Sequence, residues 1–342
     1  MDGHELEVDG PIFDTLDIDL FVKVLAHTAF SPFFLFFIPV FYIFQGAKLT
    51  DSVVVCSGVY YAAVSLFWSV RWCSRLYRNQ GSLLYGPGKL DWGEQIVVIT
   101  GGASGIGELL ANTLAVRNVT VVVLDVNPIV TENYNITYFK CDVSKFEEVQ
   151  AVSKRIVEEI GNPTVLVNNA GVVQGKLLLD LSPADIKETF EVTVSSVMGM
   201  AGSAQMCDYA ASKAALNSLN ESLRYELDHR YKCPQIRTTL VIPGHVLTPM
   251  FSTVKWPPIP LHRFLFPSIP PITVVKHIIT ALDEQHSQII MTPFFVYSAP
   301  FLNHLPSFVR DLVQWVTGAD YAMRDFVKTS SLRENGISPK TE

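Results

Sequence analysis

Tyr209 and Lys213 stand four residues apart in DYAASKAALNSLNESLRYEL, a stretch of good helix formers, so their side chains share one helix face. A phenol with an ordinary pKa near ~10 is a poor base at neutral pH, and an adjacent ammonium lowers that value by stabilising the phenolate. The pair is therefore suited to exchange a proton with a carbinol or carbonyl oxygen. Ser196, thirteen residues upstream, adds a hydroxyl to the same constellation.

A second group of residues points to a dinucleotide. The apolar run IVVIT leads directly into Gly101-Gly102-Ala103-Ser104-Gly105-Ile106-Gly107 and then into the helical stretch ELLANTLAVR. Glycines between a strand and a helix let the backbone turn tightly and approach a pyrophosphate, whose charge sits on the helix N-terminus. Asp125 follows Gly107 by eighteen residues, at the end of the next strand. Its carboxylate can accept both ribose hydroxyls of adenosine and repels a 2′-phosphate, so NAD is favoured, with NADP as the alternative. Asp142-Val143 ends a third strand, where a short carboxylate can touch the adenine amino group. Asn168-Asn169-Ala170-Gly171 ends a fourth and reads as backbone packed against the cofactor.

The elements that must position these groups can be read from the apolar pattern. IVVIT, TVVVLDV, TYFKCDV, TVLVNNAG and TTLVIPG are continuous apolar runs, as strands buried on both faces should be. They alternate with helical periodicity, which predicts an α/β fold of the Rossmann type: a doubly wound parallel sheet. Ahead of it lie two long apolar runs. Val24–Phe44 carries no formal charge over about the length that spans a bilayer core, and Val53–Val70 is followed by Arg71, Arg75, Arg78 and Lys89 with Trp68, Trp72 and Tyr77 at the boundary. Two membrane helices are expected, with everything C-terminal to them in the cytosol; a pair of buried core helices is the alternative.

The organisation expected is an acidic tail (1–20), a membrane-anchor region (21–90), a Rossmann domain (91–287), an aromatic, Pro-interrupted region (288–327) and a disordered tail (328–342). The aromatic region is suited to cover a substrate pocket or to lie on a membrane, and its residues leave both open. A formal charge of −7 without a basic run argues against a nucleic-acid partner. Five scattered cysteines lack metal-ligand spacing, so no metal is expected and buried, reduced thiols are.

Taken in order, these motifs resemble the classical short-chain dehydrogenase/reductase family. TGGASGIG is similar to its TGxxxGxG, NNAG to its NNAG and YAASK to its YxxxK, and Ser196 matches its substrate-orienting serine. The resemblance extends over Gln95–Thr248. It implies that PGHVLT lies beside nicotinamide, with Pro243, Gly244, Val246 and Thr248 as cofactor residues. It also implies that Gly101, Ser104, Gly105, Ile106, Gly107, Asp125, Asp142, Val143, Asn169, Ala170, Gly171, Tyr209 and Lys213 bind the dinucleotide. The hydrophobic N-terminus and aromatic C-terminal region are similar to the membrane-bound branch acting on retinoids, 17β-hydroxysteroids and other lipids. That branch implies an oxidoreductase on a lipophilic alcohol, ketone or aldehyde at an endoplasmic-reticulum or lipid-droplet membrane, with a homodimer among the partners.

One stretch departs from the family. Asn169 and Ser196 are twenty-seven residues apart, roughly half the family spacing, and TFEVTVSSVMG runs the end of a helix directly into what reads as the end of a buried strand. An internal deletion near residue 192 accounts for this. The family's catalytic Asn is expected directly after TFEV, and Thr193 stands there. The remaining helix, Pro183 to Val192, reaches only ~15 Å at the standard rise. Loss of its second half should expose apolar sheet face and cost about a few kcal/mol, which leaves a catalytically impaired form as the alternative to an active enzyme.

Overall fold

The computed structural model describes residues 17–78, 90–130, 133–171, 195–233, 235–251, 254 and 260–323 of the 342-residue chain. The expected helix Pro183–Val192 and Thr193 at the Asn position lie outside the described residues. Two units are distinguished, Met1–Tyr85 with Ile259–Pro267, and Gly86–Pro258 with Ser268–Glu342.

The first unit is helical. α1 (Ile18–His27) starts where Asp17 accepts the Leu20 amide at 2.8 Å. α2 (Pro32–Phe44) follows with proline at its first position. The apolar run expected to be one helix from Val24 is thus two, bent by 50° at a break, because a residue preceding proline is driven out of the helical region. α3 (Ser52–Arg78) is long and apolar enough to cross a membrane. It packs on α2 through Phe36 and Tyr61, while the Trp68 indole donates to the Phe30 carbonyl at 2.8 Å. Most of its large side chains, and those of α2, face outward: Phe33, Phe34, Phe41, Val59, Leu66 and Phe67 are all exposed.

The second unit carries the parallel sheet. β1 (Ile96–Thr100), β2 (Thr120–Asp125), β3 (Ile136–Lys140) and β4 (Val165–Asn168) lie in the order β3-β2-β1-β4. Val97 pairs with Val121 and with Val165, and Val98 with Val122 and Leu166. Alternate residues enter opposite cores, which is why these runs are apolar throughout. On one face Val97, Ile99, Val121 and Val123 pack on α4 (Gly105–Val116) through Leu110 and Leu114. On the other, Val98, Val122 and Leu124 pack on α5 (Phe146–Glu159) through Val152 and Ile156.

At Ser195 and beyond, the strand end expected from the sequence is instead a turn. Val197–Gly199 form a 3₁₀ helix, which the Ser196 hydroxyl caps by accepting the Met198 amide at 3.3 Å. α6 (Cys207–Tyr225) comes next, then β5 (Thr239–Pro243), α7 (Pro271–Glu284) and β6 (Gln288–Thr292), which pairs parallel with β5. α7 adds Val275 and Ile279 to the α4 core. β6 extends the sheet-forming part past the expected boundary at 287. The run QIIMT is short and apolar, and its pairing with TLVIP comes only from tertiary contact. The aromatic region continues as α8 (Ala299–Leu302), α9 (Ser307–Thr317) and α10 (Ala319–Ala322). All five cysteines are free, but only Cys141 is buried; Cys56, Cys73 and Cys207 are exposed, against expectation, because they lie on outward faces of α3 and at the start of α6.

Candidate active site

The glycine loop is held by the groups packed behind it. Gly101 adopts φ +64°, and a Cβ there would stand 2.6 Å from the Ala170 Cα. At Gly107 it would stand 2.3 Å from the Gly101 carbonyl oxygen and 2.4 Å from the Asn169 amide nitrogen. Both positions therefore exclude a side chain. Asn169 closes the contact from the other side, donating to the Gly101 carbonyl at 2.8 Å and the Thr100 carbonyl at 3.2 Å. The amides of Asn169 and Ala170 both donate to the Thr100 hydroxyl, at 3.1 Å each, so these groups tie the NNAG turn to β1 rather than face outward.

The N-terminus of α4 stays open. Ser104 is its N-cap, exposed, with no capping hydrogen bond from its side chain. The first-turn amides of a helix lack intrahelical partners and attract an anion. A Cβ at Gly105 would lie 3.7 Å from the Thr248 methyl, so the PGHVLT segment faces the loop. Ile106 packs against the buried Val246 in the same place, and Pro243-Gly244 is fixed by the Gly244 amide donating to Thr292 at 2.7 Å.

The three carboxylate-end positions differ. Asp125 is 9 % exposed; one oxygen accepts the Ala103 amide and the other the Asn127 amide, both at 2.9 Å. This bond brings the negative charge against the glycine loop, where an adenosine ribose would lie. Asp142 bonds to the Ser144 hydroxyl at 2.7 Å, and this bond and the Lys145 ammonium hold its carboxyl below the usual range. Val143 is spent in the core beside Cys141 and Ile156.

The catalytic half centres on α6. Lys213 is 1 % exposed and Tyr209 6 %. The Lys213 ammonium lies 4.7 Å from the centre of the Tyr209 ring and close to Gly171, 3.6 Å from where its Cβ would be. Ser196 is hydrogen-bonded to Tyr209. The expectation that Lys213 lowers the tyrosine pKa is corrected here. Burial pushes Tyr209 up to about 12, with the Ser196 hydrogen bond opposing, and burial pushes Lys213 down to about 8. Removal from water disfavours both charged forms.

Several neighbours were not singled out from sequence. Asn217, one turn beyond Lys213, accepts the Ser195 hydroxyl and donates to the Gly199 carbonyl at 3.4 Å, so it ties the Ser196 turn to α6. Gly199 rests on that helix, where a Cβ would stand 2.7 Å from the Lys213 carbonyl carbon. The i, i+4, i+8 spacing of Tyr209, Lys213 and Asn217 is the signal that could have marked it. Around Tyr209 stand Met206, Met323, Met198, Met250, Phe251 and Val254; nothing local in sequence marks them. Met323 arrives from the aromatic C-terminal region, which is bonded to the loop between Ser196 and Tyr209. Asn303 donates to the Met200 carbonyl (3.2 Å), Gln314 to Gly202 (3.0 Å), and the Ser203 hydroxyl to Ala319 (2.7 Å).

The short chain dehydrogenase family model matches residues 95–194 and 192–257, two segments that meet where the missing stretch was expected. Dehydrogenase RED2 of Cochliobolus heterostrophus is 34% identical over 212 residues, covering 54% of this chain and 79% of that protein. Epidermal retinol dehydrogenase 2 of Mus musculus is 30% identical over 248 residues, covering 62% of this chain and 78% of that protein. Because 62% of 342 residues is fewer than 248, part of that alignment faces no residue of this chain. Among solved structures, a 4-hydroxyisoleucine dehydrogenase complexed with NADH superposes with a TM-score of 0.51 at 20% identity, covering 58% of this chain and 96% of that one.

Proposed function

The chain belongs to the short-chain dehydrogenase family of oxidoreductases, and on that premise we propose that it exchanges hydride between NAD and a lipophilic alcohol or its carbonyl at a membrane. The observation that carries the substrate class is the set of residues packed with Tyr209: four of the chain's seven methionines, with Phe251 and Val254. Methionine is unbranched and polarisable, so such a set accommodates flexible apolar chains and offers nothing to a sugar or an acid. Retinol dehydrogenases among the relatives support the same class.

In this reading residues 91–287, extended by β6, form the catalytic part. NAD fits the open α4 N-terminus, with Gly101, Ser104, Gly105, Ile106 and Gly107 at the pyrophosphate. Asp125 would hold the adenosine ribose and exclude a 2′-phosphate. Asp142 and Val143 would stand at the adenine, and Asn169, Ala170, Gly171, Pro243, Gly244, Val246 and Thr248 toward the nicotinamide end. When bound, NAD supplies or accepts the hydride. Tyr209 exchanges a proton with the substrate oxygen, Ser196 orients that oxygen through its hydroxyl, and Lys213 supplies positive charge beside the ring. With its pKa near 12 the phenol holds its proton at neutral pH and can give it to a carbonyl oxygen. Residues 21–90 anchor the protein, and Arg71, Arg75 and Arg78 put the catalytic part on the cytosolic side, at the endoplasmic reticulum or a lipid droplet.

Purified full-length protein in lipid nanodiscs, given NADH and retinal or a long-chain aldehyde, should lower the nicotinamide absorbance, and Tyr209→Phe should abolish the change. Bound cofactor without turnover of any apolar carbonyl or alcohol overturns the reading. The broken family match at 192–194 favours one rival, a catalytically impaired form. Inserting a relative's segment between Val192 and Thr193 separates them: activity gained only on insertion favours the rival.

A further inference from the structure

Helix α9 has two unlike faces. Toward the catalytic unit, Val309, Val313 and Thr317 are half-buried and Gln314 holds the Gly202 carbonyl. On the opposite arc Phe308, Leu312, Trp315 and Val316 are 73, 55, 69 and 50 % exposed. Their spacing of four, three and one places them together over about two turns. Arg310 and Asp311 fall outside that arc, which carries no charge, and Phe301 and Leu305 extend the exposed apolar residues ahead of it.

We propose that this outer face of α9 docks on the lipid surface into which α2 and α3 insert; the proposal rests on the membrane reading above. Two observations choose the occupant. First, only eleven residues separate Arg78, at the end of α3, from Leu90, a reach of at most about 40 Å in any conformation. A catalytic unit so tethered meets that surface at high effective concentration. Second, an eleven-residue helix is ~16 Å long and ~10 Å wide, so its face offers far less than the ~800 Å² per partner that a stable protein interface needs. A lipid surface requires no such area or shape match. It gains with each apolar side chain immersed, and it favours tryptophan and phenylalanine at the level of the headgroups. Because Gln314 on the same helix holds the loop between Ser196 and Tyr209, docking would keep that loop close to where apolar alcohols dissolve.

The test is quenching of tryptophan emission in full-length protein reconstituted in phosphatidylcholine vesicles whose acyl chains are brominated near the headgroup. The contribution of Trp315 is the difference between the unaltered protein and Trp315→Phe, and that of Trp68 is the difference for Trp68→Phe. The proposal expects bromine to remove more than half of the Trp315 emission. It expects the double variant Phe308→Ser, Leu312→Ser, altered only at exposed positions, to restore it while Trp68 stays quenched. Quenching of Trp68 without Trp315 overturns the docking and leaves the anchor standing. Quenching of neither overturns both. An unquenched, blue-shifted Trp315 in a particle of twice the mass would assign the face to a second copy and also overturn the proposal.

Discussion

The two halves of the site are built differently. In the dinucleotide half, β1 and β2 are buried along nearly their whole length, and the glycine loop, α4 and the NNAG turn meet at backbone distance. In the catalytic half, β4 alternates between half-buried and exposed, and its Leu166 is 61 % exposed although it sits in register with the buried Val98. Here the turn around Ser196 is held to α6 by the side chain of Asn217, which bonds Ser195 and Gly199, and the loop after it by three hydrogen bonds with the C-terminal region. Backbone packing sets the geometry of the first half, and α7 only fills in behind α4 with Val275 and Ile279. The second depends on partners distant in sequence, and it is the half the missing segment should have covered.

Breaking the first half should have the largest effect. Gly107→Ala forces a methyl into the Gly101 carbonyl and the Asn169 amide, so a loss of more than about 3 kcal/mol and of NAD binding is expected, read by thermal unfolding and calorimetry. Lys213→Met should divide the halves, abolishing turnover while raising stability. A lysine whose pKa falls from 10.5 to about 8 on folding binds fewer protons folded than unfolded across that window. Its burial therefore costs on the order of 3 kcal/mol at neutral pH, relieved as pH rises from 8 through 10.5. In the cofactor-free protein, denaturant unfolding at pH 7 and pH 10 should show stability rising with pH only where Lys213 is present.

Asn217→Ala should cost about 1–2 kcal/mol and lower kcat more than it raises KM, because the Ser196 turn loses its tie to α6; unchanged kcat would assign Asn217 to packing alone. At neutral pH the smallest effect is expected at His245, whose contribution appears only in acid. Burial pushes it down to about 4, so it stays neutral in the folded state while the unfolded chain takes up a proton between about 6.5 and 4. Stability should fall as pH drops through that window, and His245→Phe should flatten the slope in a urea titration.

Much of this was legible in the residues. Strand runs apolar on both faces announced a sheet covered on both sides, which holds along β1 and β2 but not at Leu166 of β4, and TGGASGIG, NNAG and YAASK each carry their chemistry within a few residues of one another. The interruption between α1 and α2 is also written locally, in Ser31-Pro32. The features that were not legible come from contacts across the chain: the pairing of β6 with β5, the methionines packed with Tyr209, and the hydrogen bonds that Asn303, Gln314 and Ala319 share with the loop after Ser196.

By itself the sequence determined which groups can do chemistry and in what order, because capping, glycine turns and i, i+4 spacing act over a few residues. Only the tertiary structure decided the proton affinities. Tyr209 rises to about 12 and Lys213 falls to about 8 because desolvation depends on everything that excludes water from a group, and here that cover arrives from residues as distant in sequence as Met323.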